Sequence, residues 1–178
     1  SNFYSFMIVV LLGYMGSGKS TIGRLLASQR DLKFQDLDDY IQHSQKSSVS
    51  NIFKTKGEIY FRRIEANAVK YLCSNQTNLV LALGGGTPCY SDTMSYLVNH
   101  PNVVTVMLKT SILNLTKRLI NEKSERPLIS NLKNDEIPEF IAKHLFERSA
   151  YYNQAEISVF TDNMSPQEVV DSISSELV

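Results

Sequence analysis

Two groups of residues in this 178-residue chain have the types and spacing to do chemistry on a phosphate ester. The run Gly13-Tyr14-Met15-Gly16-Ser17-Gly18-Lys19-Ser20 fits G-x-x-x-x-G-K-[ST] at each fixed position and comes after the apolar stretch Met7 to Leu12, which reads as a buried strand. Glycines in such a loop let successive N–H groups turn inward onto an anion, and a helix opening near Lys19 adds the positive end of its dipole. Lys19 supplies a mobile cation for β- and γ-phosphates, and the Ser20 hydroxyl is placed to ligate Mg²⁺. The second group is Asp36 and Asp38, two apart on a segment read as extended, so that both carboxylates project from one face. One suits Mg²⁺ held through water, while the other suits the proton of an attacking alcohol. The same Asp-Leu-Asp-Asp run also fits a solvated turn that caps the next helix.

Three further stretches bear on a transfer site. Gly84-Gly85-Gly86 ends the apolar run Leu79 to Leu83, where glycines admit a ligand close to backbone N–H groups; a tight turn without a ligand fits the same residues. Arg148 shares a helical face with Ile137, Ile141 and Leu145. A guanidinium on that apolar stripe needs an anion, either a substrate carboxylate in forked geometry or a structural carboxylate such as Glu58. Glu58, Arg62 and Glu65 fall at i, i+4 and i+7, which a surface ion-pair ladder explains most simply. Asn121 to Asp135 is polar and long for a loop in a compact domain. It reads either as a lid that brings Arg126 over the transferring phosphate or as a plain surface excursion.

Positioning these groups takes a layered α/β frame. Ile22, Leu25 and Leu26 predict a helix over Ser20 to Gln29, and Phe34 to Leu37 a brief extended piece. Ser50 can cap a short turn ending near Gly57, after which Ile59, Ile64, Ala68 and Leu72 predict an amphipathic helix over Glu58 to Leu72. Leu79 to Leu83, Val103 to Leu108 and Ile157 to Phe160 read as strands. Helices are expected over about Ser111 to Ile120, over Ile137 to Tyr152, and from Ser165-Pro166 onward. Strands alternating with helices imply a parallel sheet covered on both faces, with ligands at the C-terminal strand ends.

Composition narrows the classes. The length suits a single domain over residues 1–178. Hydrophobic content of 43% with 20% charged residues is that of a globular chain, and Lys+Arg and Asp+Glu, 18 each, leave no net charge. A nucleic-acid binder would carry a basic footprint; small phosphorylated ligands suit this balance better. Cys73 and Cys89 are too far apart for a zinc or redox motif and point to a reduced, cytoplasmic setting. His43, His100 and His144 are isolated and fit surface or packing roles better than metal ligation. The N-terminal apolar run is too short to span a membrane and has no basic region ahead of it, so neither secretion nor insertion is expected; Ser1-Asn2 reads as a cloning scar.

As an ordered set these residues resemble the shikimate kinase family. G-Y-M-G-S-G-K-S, F-Q-D-L-D-D-Y-I, G-E-I-Y-F-R-R-I-E from Gly57 to Glu65, L-G-G-G-T-P, E-R-P-L in the expected lid and F-E-R-S-A-Y-Y stand in the family's order over nearly the whole chain. The resemblance implies a P-loop NTPase fold of the nucleoside monophosphate kinase-like type, with a five-stranded parallel sheet in order 2-3-1-4-5 between helices. It implies transfer of the γ-phosphoryl of ATP to the 3-hydroxyl of shikimate with Mg²⁺, in chorismate biosynthesis, by a cytoplasmic monomer with no nucleic-acid or membrane partner. Asp38 would then hold the shikimate hydroxyls and act as base or orienting group, while Arg62 and Arg148 grip the carboxylate and Gly85 donates from the backbone. Gly16, Ser17, Gly18, Lys19, Ser20 and Thr21 would cradle ATP, with Arg118 on the adenine side. Ser20 would ligate Mg²⁺, Asp36 would support it through water, and Arg126 would close over the phosphates. Lys19, Asp38 and Arg126 form the implied catalytic set. The loop Thr161 to Pro166, near the expected adenine, has no basic residue.

Two other classes share part of this pattern. A different small-molecule kinase, such as a gluconate kinase, has the first strand and loop, but Arg62, Gly85 and Arg148 together suit a cyclic carboxylic acid. A switch of the GTPase kind should carry N-K-x-D, and no such run occurs.

Overall fold

The computed structural model describes residues 6–177, so Ser1-Asn2 lies outside the described residues. Met7–Leu12 (β1), Lys33–Asp36 (β2), Asn78–Ala82 (β3), Val103–Lys109 (β4) and Ile157–Phe160 (β5) pair in parallel in the order β2-β3-β1-β4-β5. This is the expected 2-3-1-4-5 sheet. Around it lie Lys19–Arg30 (α1), Leu37–Gln45 (α2), Val49–Asn75 (α3), Thr93–Asn99 (α4), Ile112–Asn121 (α5), Ile137–Tyr152 (α6) and Pro166–Glu176 (α7).

Alternation along the strands builds the layers. Ile8, Val10 and Leu12 of β1 join Leu79, Leu81 and Met107 in a core under α2, α3 and α4, while Val9 and Leu11 join Val80, Val106 and Leu108 in a second core under α1 and α7. Both faces are buried, which is why the strands read as continuous apolar runs. A third cluster of Tyr14, Leu115, Leu119, Ile129, Ile137 and Ile141 ties the phosphate loop to α5 and α6.

Several local expectations need correction. Leu37 is not extended; it opens α2, because Asp36 caps that helix by accepting the Asp39 N–H at 3.1 Å and because Leu37 and Ile41 both bury one turn apart. Asp38 therefore stands in the first turn of a helix, and strand alternation does not set its direction. α3 is capped by Ser48, not Ser50, and runs on through a break at Gly57, where φ is 87°. That break resets the helical phase, so Ile59 is 90% exposed while Phe61, Glu65, Ala68, Val69 and Leu72 face inward. Leu25 likewise sits at the edge of the stripe that α1 buries. The seven-residue α4 lies in a stretch for which the sequence predicted no element. The stretch after α5 holds two short 3₁₀ turns, Lys123–Glu125 and Asn134–Glu136, and Ile129 between them is fully buried, so the segment is pinned at its centre rather than being polar throughout. Among the described residues no helix is long and apolar enough to cross a membrane.

Candidate active site

A parallel sheet places all strand ends of one kind together, and the candidate residues gather there. A cavity of about 580 Å³ is lined by the loop from Met15 to Ile22, by Asp36 and Asp38 after β2, by Gly84 and Gly85 after β3, by Arg118, Glu122 and Arg126, and by Thr161, Met164, Pro166 and Val169 after β5.

The loop is built to receive an anion. Gly18 precedes α1 with φ 94°, a left-handed conformation that glycine adopts without strain, and no side chain caps the helix. The N–H groups from Gly18 to Thr21 find no acceptor among the described residues, whereas Ile22 N–H bonds to Gly18 O at 2.9 Å. Four orphan donors and a helix dipole therefore face one cavity. Lys19 Nζ donates to Gly13 O at 2.6 Å and Tyr14 O at 3.1 Å, which folds the side chain back across the loop. Burial lowers its pKa to about 8; Arg126 and Arg148 push the same way, and Asp38 and Asp36 oppose them.

Ser20 Oγ donates to Asp36 Oδ2 at 2.8 Å, which joins the end of the loop to the end of β2. Asp38 is held differently. Burial, and after it the charges of Asp36 and Glu65, raises its pKa to about 6 against the pull of Lys19. Gly84 lies beside it: a Cβ there would be at ordinary contact distance, 3.4 Å, from Asp38 Oδ1, and closer, 3.1 Å, to Thr87 Oγ1.

The glycine turn is flanked by two arginines. A Cβ on Gly85 would stand 3.1 Å from Arg148 NH1, and one on Gly86 would stand 2.8 Å from Arg62 NH2, so glycine at both positions lets the guanidinium groups lie this close to the backbone. Arg62 and Arg148 do not line the main cavity; Arg62 borders a neighbouring one of about 560 Å³ with Glu58, Arg63, Tyr90 and Asp92. The surface-ladder expectation for Arg62 fails at one end. Glu58 is exposed and 3.8 Å away, but Glu65 is buried, pairs with Arg62 at 2.9 Å and accepts from Thr87 Oγ1 at 2.8 Å. Tyr90 covers the Arg62 guanidinium, 3.9 Å from ring centroid to Cζ. Arg148 makes no ion pair with Glu58 or any other carboxylate among the described residues.

Arg126 enters the cavity from the segment after α5 and pairs with Glu122 at 2.8 Å, each side chain more than a third exposed. Such a pair is worth about 0.2–1 kcal/mol, little enough for an incoming phosphate to take the guanidinium away. Arg118 is exposed and donates to Gly16 O at 2.8 Å.

Sequence reasoning placed Glu65 beside Arg62 only as part of a surface ladder and the loop Thr161 to Pro166 only near the expected adenine; it missed Tyr14, Thr87 and Tyr152 as neighbours of the arginines, and Val169 as a cavity wall. Tyr14 fills a variable position of the loop motif, and the others are legible only once α3, α6 and α7 are packed.

The comparisons converge on one group of enzymes. Residues 15–178 match the family model for shikimate kinase. A shikimate kinase of Flavobacterium johnsoniae is 46% identical over 165 residues, covering 93% of this chain and 95% of that protein. The crystal structure of shikimate kinase from Bacteroides thetaiotaomicron matches with a TM-score of 0.88 at 31% identity, across 96% of this chain and 98% of that one. A shikimate kinase from Acinetobacter baumannii in complex with shikimate matches with a TM-score of 0.85 at 27% identity, across 98% of this chain and 94% of that one. A likeness that runs over nearly the whole chain is one of descent, and the chain belongs to the shikimate kinase family.

Proposed function

We propose that the protein transfers the γ-phosphoryl group of ATP to the 3-hydroxyl of shikimate, as one kinase domain acting as a cytoplasmic monomer on two small ligands. The observation that carries the reading is the pair of arginines closing on the Gly84–Gly86 turn, with Asp38 between that turn and the phosphate loop. A phosphate cradle alone fits any kinase of this fold. The added guanidinium groups fit an acceptor with a carboxylate.

In this reading the free N–H groups from Gly18 to Thr21, with Gly16 and Ser17, hold the phosphates, and Arg118 stands on the nucleotide side. Lys19 and Arg126 neutralise charge that spreads over the oxygens of the transferring group. Arg148 and Arg62 hold the shikimate carboxylate beside Gly85, which orients the ring so that the 3-hydroxyl meets Asp38. Asp38 accepts the hydroxyl proton.

Ser20 and Asp36 suit Mg²⁺: a hydroxyl that gives its proton to a carboxylate keeps lone pairs for a hard cation. Among the described residues no group of three or more His, Cys, Asp or Glu could form a closed metal cage, and Mg²⁺ ordinarily takes one or two protein oxygens together with substrate phosphates. When bound, the ion supplies electrostatic relief on the phosphate oxygens.

A coupled assay of ADP release tests the reaction directly. Rapid turnover is expected with shikimate, and background turnover with gluconate or no acceptor; equal rates with gluconate would overturn the reading. Arg148→Ala should cost about 1.5–3 kcal/mol of shikimate affinity by calorimetry and leave ATP affinity nearly unchanged. Equal loss for both ligands would make Arg148 structural.

Residues 121–135 act as a lid in this reading. Arg126→Ala should lower kcat about 10²-fold and raise KM for shikimate much less, because the contact forms mainly in the transition state. Hydrogen exchange supplies the independent check: amides of 121–135 should gain protection with ADP, Mg²⁺ and shikimate together. Equal exchange in free and ternary states, with kcat retained, would leave a surface segment only.

A further inference from the structure

Arg148 differs from Arg62 in what holds it. Arg62 leans on the buried Glu65 carboxylate, which offsets part of its charge. Arg148 NH1 instead donates to the Tyr152 hydroxyl at 3.2 Å, and its guanidinium lies 5.6 Å from the centroid of the Tyr14 ring. Tyr152 is 1% exposed, one turn after Arg148 on α6, and its hydroxyl donates to the Gly85 carbonyl. A phenol has a single proton. That proton goes to Gly85, so a lone pair is left for Arg148. Burial pushes the Tyr152 pKa up to about 12, so the group stays neutral at working pH. A neutral acceptor aims a guanidinium without cancelling its charge, which a carboxylate cannot do.

The same hydroxyl also fixes the backbone. With the Gly85 carbonyl tied to Tyr152, the planar trans peptide turns the Gly86 N–H the opposite way. Neither the Gly85 nor the Gly86 N–H has an acceptor among the described residues. We infer that Tyr152 is a positioning residue for the acceptor: its buried hydroxyl sets the spacing between the Arg148 guanidinium and the Gly85–Gly86 turn, so that both sets of donors converge on one carboxylate. The inference rests on the assignment of Arg148 to the shikimate carboxylate. The Tyr14 ring still supports Arg148 when the hydroxyl is removed, so the expected defect is misdirection and not loss of the arginine.

Tyr152→Phe deletes only that oxygen. KM for shikimate should rise about tenfold, with KM for ATP unchanged and kcat within about twofold. On an Arg148→Ala background the same change should add less than about twofold, because the two groups act as a unit. The methyl ester of shikimate, which has no charged carboxylate to grip, should bind the parent and Tyr152→Phe equally in calorimetry. Equal shifts in both KM values, an unchanged KM for shikimate, the full tenfold loss on the Arg148→Ala background, or ester binding weakened like the acid would each overturn the inference. If Arg148→Ala itself leaves shikimate binding intact, the carboxylate assignment fails and takes this inference with it.

Discussion

Lys19→Ala should lower kcat/KM for ATP about 10³-fold while the fold survives, because it removes the ammonium group folded across the phosphate cradle. Two carbonyl oxygens, of Gly13 and Tyr14, hold the ammonium group in place, so little rearrangement is needed when phosphate arrives. The measurement is steady-state kinetics beside circular dichroism; turnover near the parent level with an unchanged spectrum would remove the loop from the mechanism. A pH profile adds a sign. Burial brings the Lys19 pKa down to about 8, and only the protonated form is a cation, so in the parent kcat/KM for ATP should fall as pH rises through about 8.

Asp38→Asn should cost about 10³-fold in kcat, since an amide cannot take the proton of the attacking hydroxyl. In the parent, kcat/KM for shikimate should fall as pH drops through about 6, where burial and the neighbouring Asp36 and Glu65 charges place the protonation of Asp38. The stability change should run the other way. The folded state binds the Asp38 proton more readily than the unfolded chain does, so above pH 6 the ionised carboxylate opposes folding, and below about pH 4 it is neutral in both states. Asp38→Asn should therefore melt no lower than the parent at pH 8 and show no gain at pH 4. A variant that is inactive and also melts well below the parent at pH 8 would mark Asp38 as a structural group.

Local sequence was enough wherever local physics decides. The phosphate loop is legible because strand, glycines, lysine and serine are contiguous, and the orphan N–H groups arise from one turn of backbone. The 2-3-1-4-5 order came through resemblance, since periodicity alone shows alternating strands and helices but not their neighbours. Phase was the weak point. Gly57 and the Asp36 cap each redirect the residues immediately C-terminal to them, so Ile59 faces solvent and Asp38 lies on a helix, although spacing predicted the reverse.

The chain by itself determined the phosphate-loop motif and the family, and it offered the aspartates and arginines as candidates without their geometry. Tertiary structure alone decided how each charge is held. Glu65 and Arg62 stand one turn apart on α3, yet only the packing of that helix against the turn after β3 buries the carboxylate and gives it the Thr87 hydroxyl. Tyr152 and Gly85 are 67 residues apart, and only the docking of α6 on the turn after β3 makes one hydroxyl serve both Gly85 and Arg148. The physical reason is range. Caps, turns and helical stripes depend on neighbours a few residues away, whereas desolvation and ion pairing depend on which elements meet, and that is settled by the packing of the whole core.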